Sequence, residues 1–552
     1  MKFAALSLLS FFSAAFLTSP CEGQNQPFQH IIIVLQENRT PDNLFQDLCS
    51  TLGVQPCPYN ISSEGITPSG HPIALTPDPL TDDLDPDHSR IPTFSMEYNG
   101  GGINQGPEWV FCTMSPFCCT LFGHKNKPSC MENNVEVYNW LHFVNNDLFT
   151  YNGNQYYRLN PYLQIAIQYG WGNYMFQTNQ GPSFPAHQFV FGGTSAPGEP
   201  PNATFLAENP GDNTFDDDTG CAGSTSNNAK VYIIDSSGNE NTSIIPCVDH
   251  PTLSDRIEGA SLGWRYYANN EDGIWTAPNA IQHICDPISN PSLCAGMDFR
   301  NHVVVGNTGP GQILTDLAAD GSQNCNNLQP VSWVIPDGTW SDHGGPSLGY
   351  GPAWLSALVN AVGGYYFDSS GHQHSTGCNF WTNTAIFITW DDWGGWYDHI
   401  VPPIVPLNSR QFGSGYLYGF RVPLIVVSAY TPAATVSGPV VSNFNASSFC
   451  APTQQTSIYC HDFGSILAFT ENNFKLQTID NSKGGGYADL HAMDAQYPGN
   501  FPLQEFFTLT TARQFQIIPG PVPASCFITP TYSCFAGYTG PVDPDNDANE
   551  TP

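Results

Sequence analysis

The chain has 552 residues, of which 15 are lysine or arginine and 48 are aspartate or glutamate, giving a formal net charge of -33. With 40% hydrophobic and only 11% charged residues, it carries enough apolar surface to fold around a core, which excludes general disorder. The acidic excess also excludes nucleic-acid binding through a basic surface, because phosphate contacts depend on lysine and arginine. An anionic substrate would therefore need a bound metal ion or a local cluster of donors.

The first segment is typical of a secreted protein. Lys2 is followed by a largely apolar run over residues 4–17, which is too short to cross a bilayer but suits a secretory signal. We predict a cleaved signal peptide over residues 1–23, a secreted or periplasmic mature protein, and no stable membrane insertion. The alternative is a lipoprotein anchor at Cys21, which Pro20 fits poorly.

Cleavage after residue 23 removes one of the 17 cysteines and leaves an even number, which suits pairing in an oxidising compartment. The chain has no Cys-x-x-Cys motif, and this argues against a zinc ribbon or a thioredoxin-type site. Short separations suggest local disulfides in four pairs: Cys49 with Cys57, Cys285 with Cys294, Cys450 with Cys460, and Cys526 with Cys534. The connectivity itself does not follow from the sequence.

Four nearly continuous apolar runs are typical of buried parallel strands. They cover residues 31–35, 331–335, 385–390 and 424–427. Helical stretches are predicted at residues 354–362 and 465–472, and connections rich in glycine, proline and asparagine join these elements. The pattern predicts one α/β domain with elaborated loops over residues 24–515, followed by a cysteine-containing tail over residues 516–552.

Polar residues follow three of these runs. Gln36, Glu37 and Asn38 come directly after the first run. Asp391 and Asp392 come directly after the third, and His343 lies a few residues beyond the second. Open α/β sheets bind ligands beyond the carboxyl ends of their strands, where gathered carboxylates repel one another unless a cation neutralises them. Each aspartate taken singly is more typical of a helix cap or a turn, but together these oxygen donors favour a divalent metal site.

Further motifs lie along the chain in a fixed order. Residues 30–45 read HIIIVLQENRTPDNLF, and residues 181–188 read GPSFPAHQ. The other motifs lie at residues 264–267, 331–337 with 341–343, 386–399, 421–428 and 461–467. Together the seven segments resemble the phosphoesterase family that contains the bacterial and plant non-specific phospholipases C and acid phosphatase A.

The resemblance implies an alkaline-phosphatase-like core with three α/β/α layers around a mostly parallel sheet. It also implies hydrolysis of a phosphate ester through a covalent intermediate on Ser183. By position, the metal ligands of the family correspond to Glu37, Asn38, Ser183, Asp391 and Asp392. They would hold one or more divalent ions, with Ca, Mg, Mn and Zn all open, and coordination would lower the pKa of the serine hydroxyl.

Three histidines are candidates for donating a proton to the leaving oxygen. His88 resembles an early active-site histidine of the family, His343 lies in a matched segment, and His283 lies where the family carries one or two histidines. His187 and His399 lie beside active segments, where we expect them to support their neighbours.

The substrate remains open between two classes, a phosphate monoester and a phospholipid headgroup. Ser183 favours a broad phosphomonoesterase, because the phospholipase C branch usually carries threonine there, whereas the motifs shared by both branches and the many aromatic residues leave a headgroup pocket open. Two other classes of protein share some of these features. A secreted glycoside hydrolase would also place paired carboxylates at strand ends, and a catalytically inactive binding protein could keep the scaffold.

Overall fold

The computed structural model describes residues 28–53, 55–66, 72–81, 84–86, 88–90, 129–132, 135–138, 141–198, 204–210, 219–223, 229–235, 239–289, 292–306, 309–344, 348–403, 418–442, 444–451, 455–479, 487–495, 501–529 and 534–535. The predicted signal peptide and the end of the predicted tail, residues 536–552, lie outside the described residues.

An eight-stranded sheet forms the centre of the fold. In chain order its strands are β1 (His30–Gln36), β2 (Gly170–Gly172), β3 (Trp264–Tyr267), β4 (Val303–Val304), β5 (Val331–Val334), β6 (Thr384–Trp390), β7 (Leu424–Ser428) and β8 (Thr435–Ser437). Their spatial order is β4-β3-β5-β1-β6-β7-β2-β8. Only β7 runs antiparallel to its neighbours, so the predicted α/β class with a mostly parallel sheet is confirmed.

All four apolar runs form strands of this sheet, within one or two residues of the predicted ends. Every residue of β5, β6 and β7 is buried, which explains why these strands read as continuous apolar runs rather than alternating ones. The remaining strands have only two to four residues and carry too little pattern to be found by periodicity.

Helices pack on both faces of the sheet. The longest ones are α1 (Asn160–Gln168), α2 (Ser183–Gly192), α3 (Leu253–Gly259), α4 (Gly351–Val362) and α5 (Phe463–Phe474). Phe387 of β6 packs against Phe469 of α5, with 4.9 Å between the ring centroids, and α2 packs against α5. Trp390 lies on the opposite face of the same strand and packs against Tyr162 of α1, with 5.5 Å between the ring centroids. Helix α1 in turn packs against α4.

Shorter elements decorate this core. Short helical segments lie at Pro41–Leu44, Leu48–Leu52, Ala277–Ala280, Gln282–Cys285, Met297–His302, Gln312–Asp316, Gly338–Trp340, Trp381–Asn383, Ala446–Phe449, Gln455–Tyr459, Ala488–His491, Gln504–Phe506 and Ala524–Ile528. Peripheral strands lie at Glu64–Ile66, Pro72–Ala74, Thr76–Asp78, Ser129–Glu132, Val135–Tyr138, His142–Val144, Leu148–Tyr151, Asn154–Tyr157, Tyr174–Phe176, Phe205–Leu206, Val231–Ile234, Thr242–Ile244, Pro287–Ser289, Ser292–Cys294, Tyr365–Phe367, Gln373–Ser375 and Cys460–Asp462. None of the helices in the described ranges is long and apolar enough to cross a membrane.

Disulfides fasten several of the loops. The structure pairs the cysteines as the sequence suggests: Cys49–Cys57, Cys285–Cys294, Cys450–Cys460 and Cys526–Cys534. It also joins two more distant pairs, Cys221–Cys247 and Cys325–Cys378, which short spacing could not indicate.

The sheet order brings the polar strand ends together. Strand β1 lies between β5 and β6 and runs parallel to both, so the carboxyl ends of all three strands meet at one edge. Backbone hydrogen bonds continue beyond the strands: the N–H of Glu37 donates to the carbonyl of Ser341 (2.8 Å), and the N–H of Arg39 donates to that of Asp392 (3.1 Å). The loops that follow the three strands are therefore held at fixed distances from one another.

Candidate active site

The β1 loop places Glu37 and Asn38 at the sheet edge through an unusual backbone conformation. Asn38 has a φ of 60°, in the left-handed region that asparagine tolerates better than most residues. Its backbone N–H donates a hydrogen bond to Asp391 Oδ1 (2.8 Å), which ties the β1 loop to the β6 loop. The side chains of Glu37 and Asn38 are both buried.

The β6 loop carries Asp391 and Asp392 and needs glycine at position 394, two residues after them. Gly394 has a φ of 62°, and a Cβ atom there would lie 2.4 Å from the carbonyl oxygen of Asn38. The N–H of Gly394 donates to Asp392 Oδ1 (2.6 Å), which fixes the orientation of that carboxylate. The sequence Asp-Asp-Trp-Gly therefore allows the two loops to approach closely.

Ser183 is the first residue of α2 and lies against this cluster. Its Oγ is 3.2 Å from Glu37 Oε2, 3.4 Å from Asn38 Oδ1 and 3.3 Å from Asp392 Oδ2. Ser183 is fully buried, and the amides of a helix N-terminus favour anionic groups such as phosphate. Together with Asp391, which bonds to Asn38, these residues are the five metal ligands predicted from the sequence, and the structure brings them to one place.

His187 lies one helical turn after Ser183 and contacts the same cluster. Its Nε2 is 3.1 Å from Glu37 Oε1, and both side chains are fully buried. Burial lowers the pKa of His187 to about 4, so its ring is neutral at neutral pH. The ring stacks on Trp275 with 6.3 Å between the centroids. Spacing along a helix places residues i and i+4 on one face, and this signal is already present in the sequence.

His88 and His343 flank the cluster. The Nε2 of His88 lies 3.2 Å from the side-chain nitrogen Nδ2 of Asn38, and the centroids of the two histidine rings lie 6.3 Å apart. The Nδ1 atoms lie 2.9 Å and 2.8 Å from the carbonyl oxygens of Pro86 and Gly344. Because a carbonyl only accepts, each Nδ1 carries a proton, and Nε2 is the nitrogen that can exchange one in either ring.

Asp342 anchors the loop that carries His343. Its φ is 78°, and Oδ2 accepts hydrogen bonds from the Tyr162 hydroxyl (2.5 Å) and the Trp390 indole (3.2 Å). The Arg39 guanidinium donates to the carbonyl of Asp342 (2.8 Å). Burial raises the pKa of Asp342 to about 6. These partners come from distant parts of the chain, so sequence spacing gives no sign of them.

The structure does not bring His283 to this cluster. Its ring is about one third exposed, with Nδ1 2.6 Å from Asp249 Oδ1 and Nε2 3.1 Å from Asp255 Oδ1. Hydrogen bonding to Asp255 raises its pKa to about 9, even though partial burial opposes this shift. The short helix Gln282–Cys285 directs the side chain towards the start of α3, and the geometry therefore gives no support to a catalytic role for His283.

The donor set of the cluster fits a divalent cation. Glu37, Asp391 and Asp392 are fully buried, and Asp391 Oδ2 accepts no hydrogen bond from any residue of the described ranges. A buried carboxylate oxygen without a partner costs free energy, and a bound cation removes that cost. Glu37, His187 and Asp391 also bring ligand atoms to within 4.8 Å of one another. Carboxylate, amide and hydroxyl oxygens suit Ca, Mg or Mn, and an imidazole nitrogen also suits Zn.

A second acidic cluster joins the β6 loop to the short helix Pro41–Leu44. Asp42, Asp398 and His399 could also bring ligand atoms together. There, however, the Arg421 guanidinium donates to both oxygens of Asp398 at 3.0–3.2 Å and reaches Asp42 at 3.5 Å. This cluster already contains its own permanent cation, and it therefore offers a metal no comparable site.

The chain belongs to the phosphoesterase family, whose model matches residues 28–477. It is 24% identical over 453 residues to a protein named phospholipase C A from Mycobacterium tuberculosis, covering 76% of this chain and 71% of that relative. It is also 25% identical over 226 residues to a non-hemolytic phospholipase C from Burkholderia pseudomallei, covering 34% and 29%. A protein of the same name from Pseudomonas aeruginosa is 23% identical over 215 residues, covering 34% and 27%.

Family membership and the buried cluster define the class of protein: it is a hydrolase that acts on phosphoric ester bonds. The family resemblance seen in the sequence is thereby confirmed. Glycoside hydrolysis, which the paired carboxylates alone had left open, is not retained.

Proposed function

We propose that the chain is a secreted, metal-dependent phosphoesterase with an alkaline-phosphatase-like core, which hydrolyses phosphate esters through a phosphoserine intermediate on Ser183. One observation carries this proposal. The Ser183 hydroxyl lies 3.2–3.4 Å from Glu37, Asn38 and Asp392 in a fully buried cluster at the N-terminus of α2. A serine hydroxyl is weakly nucleophilic unless its surroundings lower its pKa. The carboxylates alone would not lower it, but a cation held among these oxygens would.

Five residues would hold the metal: Glu37, Asn38, Ser183, Asp391 and Asp392. A divalent cation bound there supplies positive charge that lowers the pKa of the serine hydroxyl and offsets the charge of the phosphoryl group. His187 fixes Glu37 through its hydrogen bond and so keeps one carboxylate in place.

The remaining chemistry falls to the chain itself. Ser183 Oγ gives up its proton to the cluster and forms a bond to phosphorus, and the bond from phosphorus to the alcohol oxygen breaks. The leaving oxygen takes a proton from protonated Nε2 of His343 or His88. Water then attacks phosphorus and gives a proton to the same histidine Nε2, and the bond from phosphorus to Ser183 Oγ breaks. The phosphate leaves, with the headgroup still attached if the substrate is a phospholipid, and Ser183 Oγ takes back the proton held by the cluster.

The substrate is a phosphate ester, either a monoester or the headgroup of a phospholipid. The relatives named as phospholipases C support a phospholipid, whereas serine at position 183 supports a monoester. Secretion accords with the six disulfides among the described residues and with the apolar N-terminal run, and N-terminal sequencing of the exported protein should begin at Gln24.

Turnover by a Ser183→Ala variant tests the mechanism. We expect the variant to keep its fold and lose about three orders of magnitude or more of kcat, because the nucleophile is gone. Ser356→Ala is a matched control: Ser356 is also a buried helical serine, whose hydroxyl donates to the carbonyl of Ile518 (2.9 Å) and accepts from Nδ2 of Asn360 (3.3 Å). Both variants are assayed with an aryl phosphate monoester and an aryl phosphorylcholine from mildly acid to neutral pH. Undiminished turnover in Ser183→Ala would refute the proposal.

A further inference from the structure

Gln177 lies between the two loops that the reaction must hold together. It is fully buried, and it follows the short strand Tyr174–Phe176 and precedes the turn that presents Ser183. None of the sequence motifs assigns it a role. Its side-chain amide makes one hydrogen bond to each of two different loops, one as a donor and one as an acceptor.

The donor arm reaches the nucleophile turn. Nε2 of Gln177 donates to the carbonyl of Gly181 (3.2 Å), two residues before Ser183. Asn179 braces the same turn, with Nδ2 2.8 Å from the Gly181 carbonyl and 3.5 Å from that of Pro182. The side-chain hydrogen bonds of Asn179 stay within this turn, whereas those of Gln177 extend beyond it.

The acceptor arm reaches the carboxylate loop. Oε1 of Gln177 accepts a hydrogen bond from the backbone N–H of Trp393 (3.1 Å), the residue immediately after Asp392. One planar amide therefore spans from the loop of the nucleophile to the loop of the carboxylates, and its length fixes their separation.

Gln177 is itself held rigidly. Its backbone N–H donates to the carbonyl of Phe420 (3.2 Å), and its carbonyl accepts from Gly419 (3.0 Å). A Cβ atom on Gly419 would lie 2.2 Å from the Cγ of Gln177, so only glycine lets these two segments of the backbone pack this closely. A buried amide with both arms bonded and its backbone paired has little freedom to move.

We propose that Gln177 is a positioning residue, whose side-chain amide sets the spacing between Ser183 and the carboxylates of Asp391 and Asp392. This inference rests on the proposed function of Ser183. Gln177 touches neither the Ser183 hydroxyl nor a carboxylate, and it acts through the backbone of Gly181 and Trp393. A displacement of about 1 Å between reacting groups can cost on the order of a hundredfold in rate, so small shifts of either loop are felt in kcat.

The test compares Gln177→Met with a control that loses equivalent bonds elsewhere. Asn360 of α4 is also a buried amide, donating to the carbonyl of Ile518 (2.8 Å) and accepting from its N–H (2.9 Å), on the face of the sheet opposite α2. We expect Gln177→Met to lower kcat for an aryl phosphate monoester by about tenfold or more, with KM within about twofold. Asn360→Leu should lower Tm by about as much as Gln177→Met does, while its kcat stays within about twofold of that of the unmodified protein.

Two outcomes would overturn the inference: a kcat within about twofold in Gln177→Met, or an equal fall in kcat in Asn360→Leu. If Gln177→Met does not fold, Gln177→Glu replaces it, because glutamate keeps the shape and the acceptor for Trp393 but loses the donor to Gly181. We expect that variant to show the same selective loss of kcat, and a normal kcat would count against the inference. The Ser183→Ala variant separates the positioning role of Gln177 from the proposed function. Full activity of that variant would refute Ser183 as the nucleophile, independently of the result for Gln177→Met.

Discussion

The two acidic clusters that include aspartates of the β6 loop differ in how their charge is balanced. At the second cluster, Arg421 is fully buried and binds Asp398 and Asp42 directly, so the negative charge is neutralised within the fold. At the first cluster, Asp391 Oδ2 accepts no hydrogen bond within the described part of the chain, and the Ser183 hydroxyl lies among acidic groups. Similar residue types a few positions apart thus give a structural ion pair in one place and a candidate metal site in the other.

The comparison also shows why acidic residues alone do not identify a metal site. Arg421 donates to the carbonyls of Asn60 (2.9 Å) and Asn173 (2.8 Å) as well as to the carboxylates, so its cluster joins distant segments of the fold. The Ser183 cluster contains the serine that we propose as the nucleophile and lies at a helix N-terminus, where the backbone amides favour an anionic group such as phosphate.

Replacing the buried guanidinium should have the largest effect on stability. In Arg421→Met, Asp398 and Asp42 would remain buried without their cation, and we expect a loss of about 3–5 kcal/mol in the free energy of unfolding. Arg265→Met is the matched control, because Arg265 pairs with Asp316 at 2.7 Å but is about one quarter exposed, and its loss should be about 1 kcal/mol. Urea unfolding measures both variants. Equal losses would show that the Arg421 cluster is not a buried structural pair.

Removing divalent metal should act on the first cluster and spare the second. Chelation should abolish turnover. For a metal present at a hundred times its Kd, the loss of its binding should also lower the free energy of unfolding by about 2.7 kcal/mol. Without the cation, the buried carboxylates repel one another again. Differential scanning calorimetry before and after chelation, with metal analysis, measures this change, and restoring a divalent ion should reverse it.

Asp391→Asn serves as the control for this experiment, since it removes one of the repelling charges. Its Tm should respond less to chelation than that of the unmodified protein. Full turnover by protein shown to be free of metal would contradict the role of the first cluster.

A third cluster balances its carboxylates with a histidine, a cation that can lose its charge as the pH rises. His461 is fully buried between Asp494 (3.0 Å) and Glu505 (2.8 Å). Burial alone would lower the pKa of His461, but the two carboxylates raise it to about 10. Because the folded-state pKa lies above the unfolded value of about 6.5, its contribution to stability is complete below about pH 6.5 and is lost as the pH rises towards 10.

We therefore expect the free energy of unfolding to fall above neutral pH by up to about 1.4 kcal/mol per pH unit from this group. His461→Gln should be less stable at pH 6 and should lack this part of the slope. Denaturant unfolding from pH 6 to 9 measures the difference, and identical slopes in the two proteins would show that His461 is not held as a cation.

The sequence predicts the centre of the molecule better than its periphery. Strands β1, β5 and β6 are recognisable because burial on both faces makes them continuously apolar, and their parallel order gathers Glu37 and Asp391 at one edge. Ser183 lies far from both in the chain, and only the family resemblance connects them.

Other contacts could not be read from the sequence because they join distant segments through side chains. Gln177 reaches Trp393, and Asn209 accepts a hydrogen bond from the N–H of Phe184 (2.8 Å) without any periodic signal. The catalytic role predicted for His283 stays a prediction: the motif places it near the active segments, whereas in the structure carboxylates near the start of α3 bind its ring.

The phosphoserine intermediate is the central claim, and trapping it is the most direct test. The metal-loaded protein is mixed with an aryl phosphate monoester, quenched in acid and digested, and the peptide that contains residues 181–188 is analysed by mass spectrometry. We predict one phosphoryl group on Ser183, and none in Ser183→Ala under the same conditions. Rapid turnover with no phosphoryl group on Ser183 at any quench time, together with full activity of the alanine variant, would contradict the account.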